Sequence, residues 1–266
     1  EPGVHDEPQH VKQGEVTLKL LEAMDIEYRI LSEDYESDLK YLVSLAKKDN
    51  KPVALAIRKG TSSKYFPINK DKVVMGDLLR EEALEVILSE IGGDMVVSTT
   101  GKESREIFEI RERNKEGHGH DFLTVGSMGH TSSIALGVSI GTNKNVWCLD
   151  GDGSFIMHMG GLANAGVSAG DNFKYIINNN AAHESVGGQP TVSDKIDIKK
   201  ILEACGFDNV HEAKTKEEIK EAVSLMKKEG KSAFILYTKQ GSREDLGRPT
   251  TTPIQNKEAF METIKK

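Results

Sequence analysis

The fold is decided by residues 145–180, which read NVWCLDGDGSFIMHMGGLANAGVSAGDNFKYIINNN. Two apolar runs, 145–150 and 173–178, have the length and the aromatic and β-branched content that are typical of buried strands. Between them, residues 160–169 are small and apolar and predict a helix. A strand, a helix and a second strand in succession form a βαβ unit, which makes the two strands parallel neighbours in a sheet.

The same alternation continues on both sides of this stretch. The pattern predicts helices at 77–90, 129–141, 197–205 and 216–229, and strands at 95–98, near 210 and at 232–238. Thr215 and Glu218 have the spacing of a capping box at the start of the helix at 216–229. The sequence therefore predicts an α/β protein with a doubly wound parallel sheet that helices cover on both faces.

The first 65 residues carry a shorter alternation of their own. Helices are predicted at 15–24 and around 39–46, and strands at 27–31 and 53–57. This run is short for a doubly wound domain, so we interpret it as the rear part of a second, similar domain. We therefore predict four regions. The rear part of the second domain spans 1–65, a linker spans 66–76, the main domain spans 77–245 and a C-terminal tail spans 246–266.

Composition narrows the class of protein. The chain has 266 residues with 35 Lys and Arg against 42 Asp and Glu, so its net charge is −7 and no general basic surface for nucleic acid is expected. Only two cysteines are present, Cys148 and Cys205, which favours a cytoplasmic protein over a disulfide-stabilised secreted one. No apolar run approaches ~18 residues, so no membrane association is expected.

Three polar turns rich in glycine or asparagine follow predicted strands, at 99–101, 151–154 and 178–180. Because ligands bind at the carboxyl ends of parallel strands, these turns are expected to share one edge of the sheet. Asp152 lies between two glycines, and Asn180 lies one βαβ unit later. A carboxylate, an amide oxygen, a backbone carbonyl and phosphate oxygens are hard ligands that suit Mg²⁺. The sequence predicts a diphosphate–metal site here; the alternative is that each motif is only a turn.

These residues carry a resemblance to a known family. The glycine–aspartate–glycine motif at 151–153, followed by the asparagine pair at 179–180, resembles a thiamine diphosphate binding motif. The segments TTGKESRE (99–106), DFLTVGSMGH (121–130) and HESVGGQPT (183–191) resemble phosphonopyruvate decarboxylases and the related sulfopyruvate decarboxylases. The resemblance extends over essentially the whole chain, which looks like the C-terminal part of such an enzyme. It implies that the doubly wound sheet is of the thiamine-diphosphate-binding type, and that residues 1–65 belong to a pyrimidine-binding domain.

The resemblance also implies a reaction. This is the thiamine-diphosphate- and Mg²⁺-dependent decarboxylation of 3-phosphonopyruvate to phosphonoacetaldehyde and CO₂, a step of phosphonate biosynthesis. The alternatives are sulfopyruvate decarboxylation and a catalytically incomplete fragment that only binds cofactor. A homo-oligomer, dimer or tetramer, is expected in addition to the small 2-oxo acid with its anionic tail.

The implied roles fall into three groups. The cofactor-binding residues implied are Thr100, Gly101, Ser127, Met128, Gly151, Gly153 and Ser154. The implied metal ligands are Asp152, Asn180 and the carbonyl of Ala182, and the implied catalytic residues are His130, His183 and Glu184. The alternatives remain open: Met128 as ordinary core packing, His130 as a residue that only begins a helix, and the residues 183–184 as surface loop.

Two features depart from the family pattern. Ala181 stands where the family has glycine, and alanine there is strained if its φ is positive. The family's glutamate that contacts the aminopyrimidine has no match in residues 1–63.

Basic residues that could bind an anionic substrate tail are Arg58, Lys59, Arg105, Arg111 and Arg113. For Arg111 and Arg113, pairing with nearby acids is the favoured reading.

Overall fold

A computed structural model describes residues 3–4, 8–63 and 73–265, so most of the predicted linker at 66–76 lies outside the described residues. The chain divides into two compact units, residues 1–70 and 71–266. No helix in the described part of the chain is both long and apolar enough to cross a membrane.

The first unit pairs two short parallel strands with two helices. Its elements are α1 (Pro8–Ala23), β1 (Glu27–Ile30), α2 (Tyr35–Asp49) and β2 (Val53–Ala56). The α1 helix begins earlier than predicted because proline is well tolerated in a first helical turn. The strand predicted at 53–57 is present as β2, which is half-buried throughout, and Ile57 after its end is 59% exposed.

The second unit contains a six-stranded sheet and eight helices among its described residues. In chain order its elements are α3 (Arg80–Ile91), β3 (Met95–Ser98), α4 (Lys102–Asn114), β4 (Asp121–Leu123), α5 (Thr131–Ile140), β5 (Val146–Gly151), α6 (Asp152–Met157), α7 (Gly161–Ser168), β6 (Phe173–Asn179), β7 (Ala182–His183), β8 (Gln189–Pro190), α8 (Ile198–Ala204), β9 (Asn209–Ala213), α9 (Lys216–Met226), β10 (Ser232–Tyr237) and α10 (Pro253–Lys265).

The large sheet has the order β4-β3-β5-β6-β10-β9 and all its pairs are parallel. Successive residues of β5 belong to different hydrophobic clusters: Trp147 packs in the cluster on one face of the sheet, and Cys148 packs in the cluster on the other face. This alternation follows from the two-residue period of a strand. The predicted doubly wound α/β fold, covered on both faces, is confirmed.

The elements missing from the sequence prediction include α4, β4 and α6. The α4 segment is highly charged and has no continuous apolar stripe. Its buried Arg111 instead pairs with Asp121 of β4, at 3.1 Å. The three-residue β4 is too short to give a period. The α6 helix begins at Asp152, where the glycines on both sides favour a turn over a helix.

Candidate functional site

A cleft lies where β3, β5 and β6 end. Its walls come from α3, from the start of α4, from α6 and from the segment that follows β6. The residues that line it are Arg80, Thr99, Thr100, Lys102, Glu103, Met128, Gly151, Asp152, Gly153, Ser154, Asn178, Asn180, Ala182, His183, Glu184 and Ser185. Because β3 and β6 both pair with β5, the three turns predicted to share one edge of the sheet do meet there.

The Gly151–Ser154 segment forms the floor of this cleft. Gly151 is extended, with φ −101° and ψ 156°, and caps α6. A Cβ atom on Gly153 would lie 2.5 Å from Nδ1 of His183, so only glycine fits beside that ring. The hydroxyl of Ser154 accepts hydrogen bonds from Thr99 Oγ1 at 3.1 Å and from the backbone N–H of Gly129 at 3.0 Å. The floor is thus joined to two other loops.

Asp152 is a buried carboxylate with polar partners but no ion pair. Its Oδ2 accepts hydrogen bonds from Thr191 Oγ1 at 2.5 Å and from Ser193 Oγ at 2.9 Å. Burial raises the pKa of Asp152, and the two hydroxyls oppose that rise. No Lys or Arg among the described residues forms an ion pair with it. A buried carboxylate is costly without a compensating charge, so this position fits a cation.

Asn180 lines the same cleft as Asp152 and carries an amide oxygen. Its Oδ1 accepts a hydrogen bond from the N–H of Ala182 at 3.0 Å, and its Nδ2 donates to Oε2 of Glu184 at 3.1 Å. In the described part of the chain no group of three or more His, Cys, Asp or Glu residues could hold a metal. The cleft does bring together a carboxylate at Asp152, a side-chain amide at Asn180 and the backbone of Ala182, and oxygens of these kinds suit Mg²⁺ rather than Zn²⁺.

The turn after Asn180 is strained, as the sequence predicts for a positive φ. Ala181 has φ 57° and is 1% exposed. Its N–H donates to Oδ1 of Asn179 at 3.2 Å, and its carbonyl accepts from the N–H of Thr191 at 3.0 Å. These two hydrogen bonds hold residue 181 in the left-handed conformation, which alanine does not favour.

Glu184 is held by three donors. Its Oε2 accepts from Arg80 Nη1 at 2.7 Å as well as from Asn180, and its Oε1 accepts from the N–H of Gly241 at 2.5 Å. Arg80 is itself buried and donates twice to Glu106, at 2.6 and 2.8 Å. Glu184 therefore lines the cleft with its oxygens already engaged by the protein.

The remaining predicted residues divide between the cleft and its surroundings. Met128 lines the cleft, whereas Gly101, Ser127 and His130 are not among its lining residues. Gly101 still approaches it, because a Cβ there would lie 3.2 Å from the Cβ of Ser185. His130 caps α5 and its exposed ring lies 4.5 Å from the ring of His158.

The predicted cationic residues of the second unit, Arg105, Arg111 and Arg113, do not line the cleft. Arg111 pairs with Glu116 and Asp121, and Arg113 pairs with Glu81 and Glu85, so the predicted pairing of both arginines with acids is confirmed. Arg105 belongs to α4 outside the lining, and Arg58 and Lys59 belong to the first unit.

Sequence reasoning missed five residues of the cleft and its support: Arg80, Lys102, Glu103, Thr191 and Ser193. The last two lie in or beside a motif that was recognised without any role for its hydroxyls. Lys102 and Glu103 directly follow Gly101, so their position after a strand-end turn was the available signal. No signal in the sequence marked Arg80, because its partner Glu184 is 104 positions away.

Comparison with known proteins adds a family. Residues 99–236 match the model of the family described as thiamine pyrophosphate enzyme, C-terminal TPP binding domain. The phosphonopyruvate decarboxylase of Streptomyces viridochromogenes is 32% identical, over 96% of this chain and 68% of its own length. That of Streptomyces hygroscopicus is 30% identical, over 98% and 69%. The sulfopyruvate decarboxylase subunit beta of Methanococcus maripaludis is 33% identical over 71% of this chain and 100% of its own length.

Proposed function

Because this chain belongs to the thiamine pyrophosphate enzymes and contains their C-terminal cofactor-binding domain, we propose that it is a 2-oxo acid decarboxylase that converts 3-phosphonopyruvate to phosphonoacetaldehyde and CO₂. The choice of this substrate is supported by the similarity to two phosphonopyruvate decarboxylases along nearly the whole chain. When bound, thiamine diphosphate would supply a nucleophilic carbon for the 2-oxo group and a sink for the electrons that remain when CO₂ leaves.

In this proposal Mg²⁺ is held by Asp152, Asn180 and the carbonyl of Ala182. Support comes from the burial of Asp152 without an ion pair and from the oxygen donors beside it. Thr191 and Ser193 orient the carboxylate by donating to Oδ2. Such outer contacts fix a ligand's orientation and commonly change metal affinity by about 10–100-fold.

The cofactor's diphosphate would lie on Gly151, Gly153 and Ser154, with Thr100 and Gly101 at its side. The missing side chain of Gly153 leaves room for the ring of His183 beside this backbone. Ser127 and Met128 would contact the aromatic rings of the cofactor, where the flexible, polarisable Met128 side chain suits a ring surface.

Among the catalytic candidates, we place His183 beside the substrate, since it lines the cleft next to Gly153. Glu184 lines the same cleft, but its three donors make it the residue that orients Asn180. His130 stays a candidate for a substrate that reaches beyond the cleft, because its ring is exposed beside His158.

The negative tail of the substrate requires a cation. Lys102 lines the cleft and has no ion pair with any described residue, whereas Arg80 is committed to Glu106 and Glu184. We therefore assign the recognition of the phosphonate to Lys102.

The domain assignment belongs to the same proposal. Residues 77–245 would form the diphosphate- and Mg²⁺-binding domain, residues 1–65 the C-terminal part of a pyrimidine-binding domain, and residues 246–266 a tail. A homo-oligomer, dimer or tetramer, would cover the apolar side chains exposed on α5 and α7, among them Ile140 and Val167 at 68% and 81% exposed. Sedimentation of the purified chain would measure its size.

A second candidate is sulfopyruvate decarboxylation. It is favoured by the match of this chain to the entire length of a sulfopyruvate decarboxylase beta subunit. A sulfonate and a phosphonate are both tetrahedral anions, so Lys102 suits either one.

The test is CO₂ release by the purified chain with thiamine diphosphate and Mg²⁺, measured for 3-phosphonopyruvate, sulfopyruvate and pyruvate. We expect the highest kcat/KM for 3-phosphonopyruvate. A preference for sulfopyruvate would establish the second candidate, and a preference for pyruvate would refute both. Cofactor binding without CO₂ from any of the three acids would identify a binding fragment that needs a further domain for catalysis.

A further inference from the structure

Glu103 lines the cleft from the first turn of α4 and is only 4% exposed. No described residue donates a hydrogen bond to its carboxyl group. Its oxygens are not among the fully buried side-chain atoms that lack a partner in the described structure. They are therefore open to the cleft that Glu103 lines. Glu103 thus presents an unsatisfied polar group to whatever the cleft binds.

The surroundings of Glu103 favour an uncharged carboxyl group. Burial raises its pKa to about 8, Arg80 opposes the rise, and the carboxylates of Asp150, Glu106 and Asp152 add to it. Arg80 is the one nearby cation of this set, and its guanidinium already donates to Glu106 and Glu184. These surroundings therefore favour the protonated form of Glu103 at pH 7 in the free protein.

A protonated carboxyl group has an O–H that must find an acceptor, whereas an ionised one can only accept. The oxygens of a diphosphate are acceptors and carry negative charge, which would be repelled by a second carboxylate in a buried cleft. The protonated form is the one that complements such a ligand.

We propose that Glu103 meets a bound diphosphate as an uncharged carboxylic acid and donates a hydrogen bond to one of its oxygens. This assignment rests on the proposed function, since it takes the diphosphate of the cofactor as the ligand. It makes Glu103 a cofactor-binding residue of this chain.

The test compares Glu103→Gln, Glu103→Leu and the control Glu112→Gln, an exposed glutamate on the same helix. Isothermal titration measures the binding of thiamine diphosphate, and separately of inorganic pyrophosphate, in excess Mg²⁺ at pH 7. Glutamine keeps a donor N–H without a charge, so its affinity should stay within about threefold of the wild type. Leucine has no donor, and its affinity should fall by roughly tenfold or more, as expected for a lost hydrogen bond to a charged group.

The pH dependence separates this role from simple packing. Above its pKa of about 8, wild-type Glu103 must take up a proton before it can donate, so the wild-type affinity falls as pH rises. From pH 7 to pH 9 the affinity of Glu103→Gln relative to the wild type should rise by about tenfold. Because the ligand is the same in both proteins, its own titration cancels in this ratio.

Tighter binding by either Glu103 variant at pH 7 would show that the carboxylate is charged and repels the ligand, which overturns the proposal. Equal binding by Glu103→Leu, or a constant ratio between pH 7 and pH 9, overturns it as well. If Glu103→Leu does not fold, the pH profile of Glu103→Gln decides alone. Failure of the wild type to bind either ligand would instead refute the proposed function, and this inference with it.

Discussion

Two walls of the same cleft use their side chains in opposite ways. The first, which we call the loop wall (residues 180–185), is tied to the rest of the unit through Glu184, whose oxygens accept hydrogen bonds from Arg80 and Gly241 as well as from Asn180 within the wall. The second, the helix wall (residues 100–103), ends in Lys102 without an ion pair and Glu103 without a donor among the described residues. Two glutamates of one cleft thus differ completely in their contacts.

This difference indicates that the two walls have different roles. Hydrogen bonds that are already made cannot be offered to a ligand, so the loop wall is suited to keeping the shape of the proposed metal site. Groups left without partners in a buried place are costly until a ligand pairs with them, so the helix wall is suited to recognition. Changes in the loop wall should therefore affect stability and metal binding, and changes in the helix wall should affect ligand affinity at unchanged stability.

The largest effect is expected from Arg80→Met. This change leaves the carboxylates of Glu106 and Glu184 without their buried partner, and removing one member of such a group typically costs about 3–5 kcal/mol. The free energy of unfolding, measured by chemical denaturation, should fall by this amount. Arg113→Met is the control, because that ion-paired side chain is 43% exposed and such pairs contribute at most about 1 kcal/mol. Equal losses in the two variants would contradict the role given to the loop wall.

Glu184→Gln tests whether the loop wall orients Asn180. Glutamine keeps the size of the side chain but cannot accept all three hydrogen bonds, so the amide of Asn180 loses its fixed orientation. The Mg²⁺ concentration needed to retain thiamine diphosphate should rise by about 10–100-fold. The exposed Glu244→Gln serves as control. An unchanged Mg²⁺ requirement in Glu184→Gln would show that Glu184 does not position the ligand.

Lys102→Met tests the helix wall. The KM for 3-phosphonopyruvate should rise by roughly tenfold, in line with a lost contact between two charged groups, while the KM for pyruvate and the free energy of unfolding stay unchanged. Lys228→Met, on the exposed surface, is the control. A loss of thiamine diphosphate affinity with no change in substrate KM would move Lys102 from the substrate to the cofactor.

The smallest effect is expected from Ala181→Gly in the loop wall. A left-handed alanine carries about 1–2 kcal/mol of strain, and loss of its buried methyl group costs about 0.8 kcal/mol. The variant should therefore be more stable by roughly 0.5 kcal/mol in chemical denaturation. Lower stability would mean that the φ of 57° is not strained in this loop.

The sequence was informative where the chain alternates between apolar strands and small-residue helices. The strand at 95–98 has the predicted bounds, and the capping box of Thr215 and Glu218 is present. It was misleading at Gly151–Gly153, where glycine suggested a turn but packing against β5 and His183 supports a helix. Local propensity cannot anticipate such tertiary contacts.

The candidate site was predictable only in part, for a similar reason. Asp152 and Asn180 follow strands, so strand order alone brings them to one edge. Arg80 reaches Glu184 across 104 positions, and no local pattern encodes this pair. Glu103 lies in the recognised segment at 99–106, but only its burial in the cleft distinguishes it from the other acids nearby.

The central claim is that Asp152 and Asn180 hold Mg²⁺ for a bound thiamine diphosphate. Its most direct test is titration calorimetry of thiamine diphosphate into the wild type and Asp152→Ala, each in Mg²⁺ and in EDTA, with circular dichroism to verify the fold. We predict that the wild type loses more than about 100-fold in affinity in EDTA, beyond the effect of outer contacts alone, and that folded Asp152→Ala binds weakly in both. Affinities indifferent to EDTA and to the substitution would contradict the account.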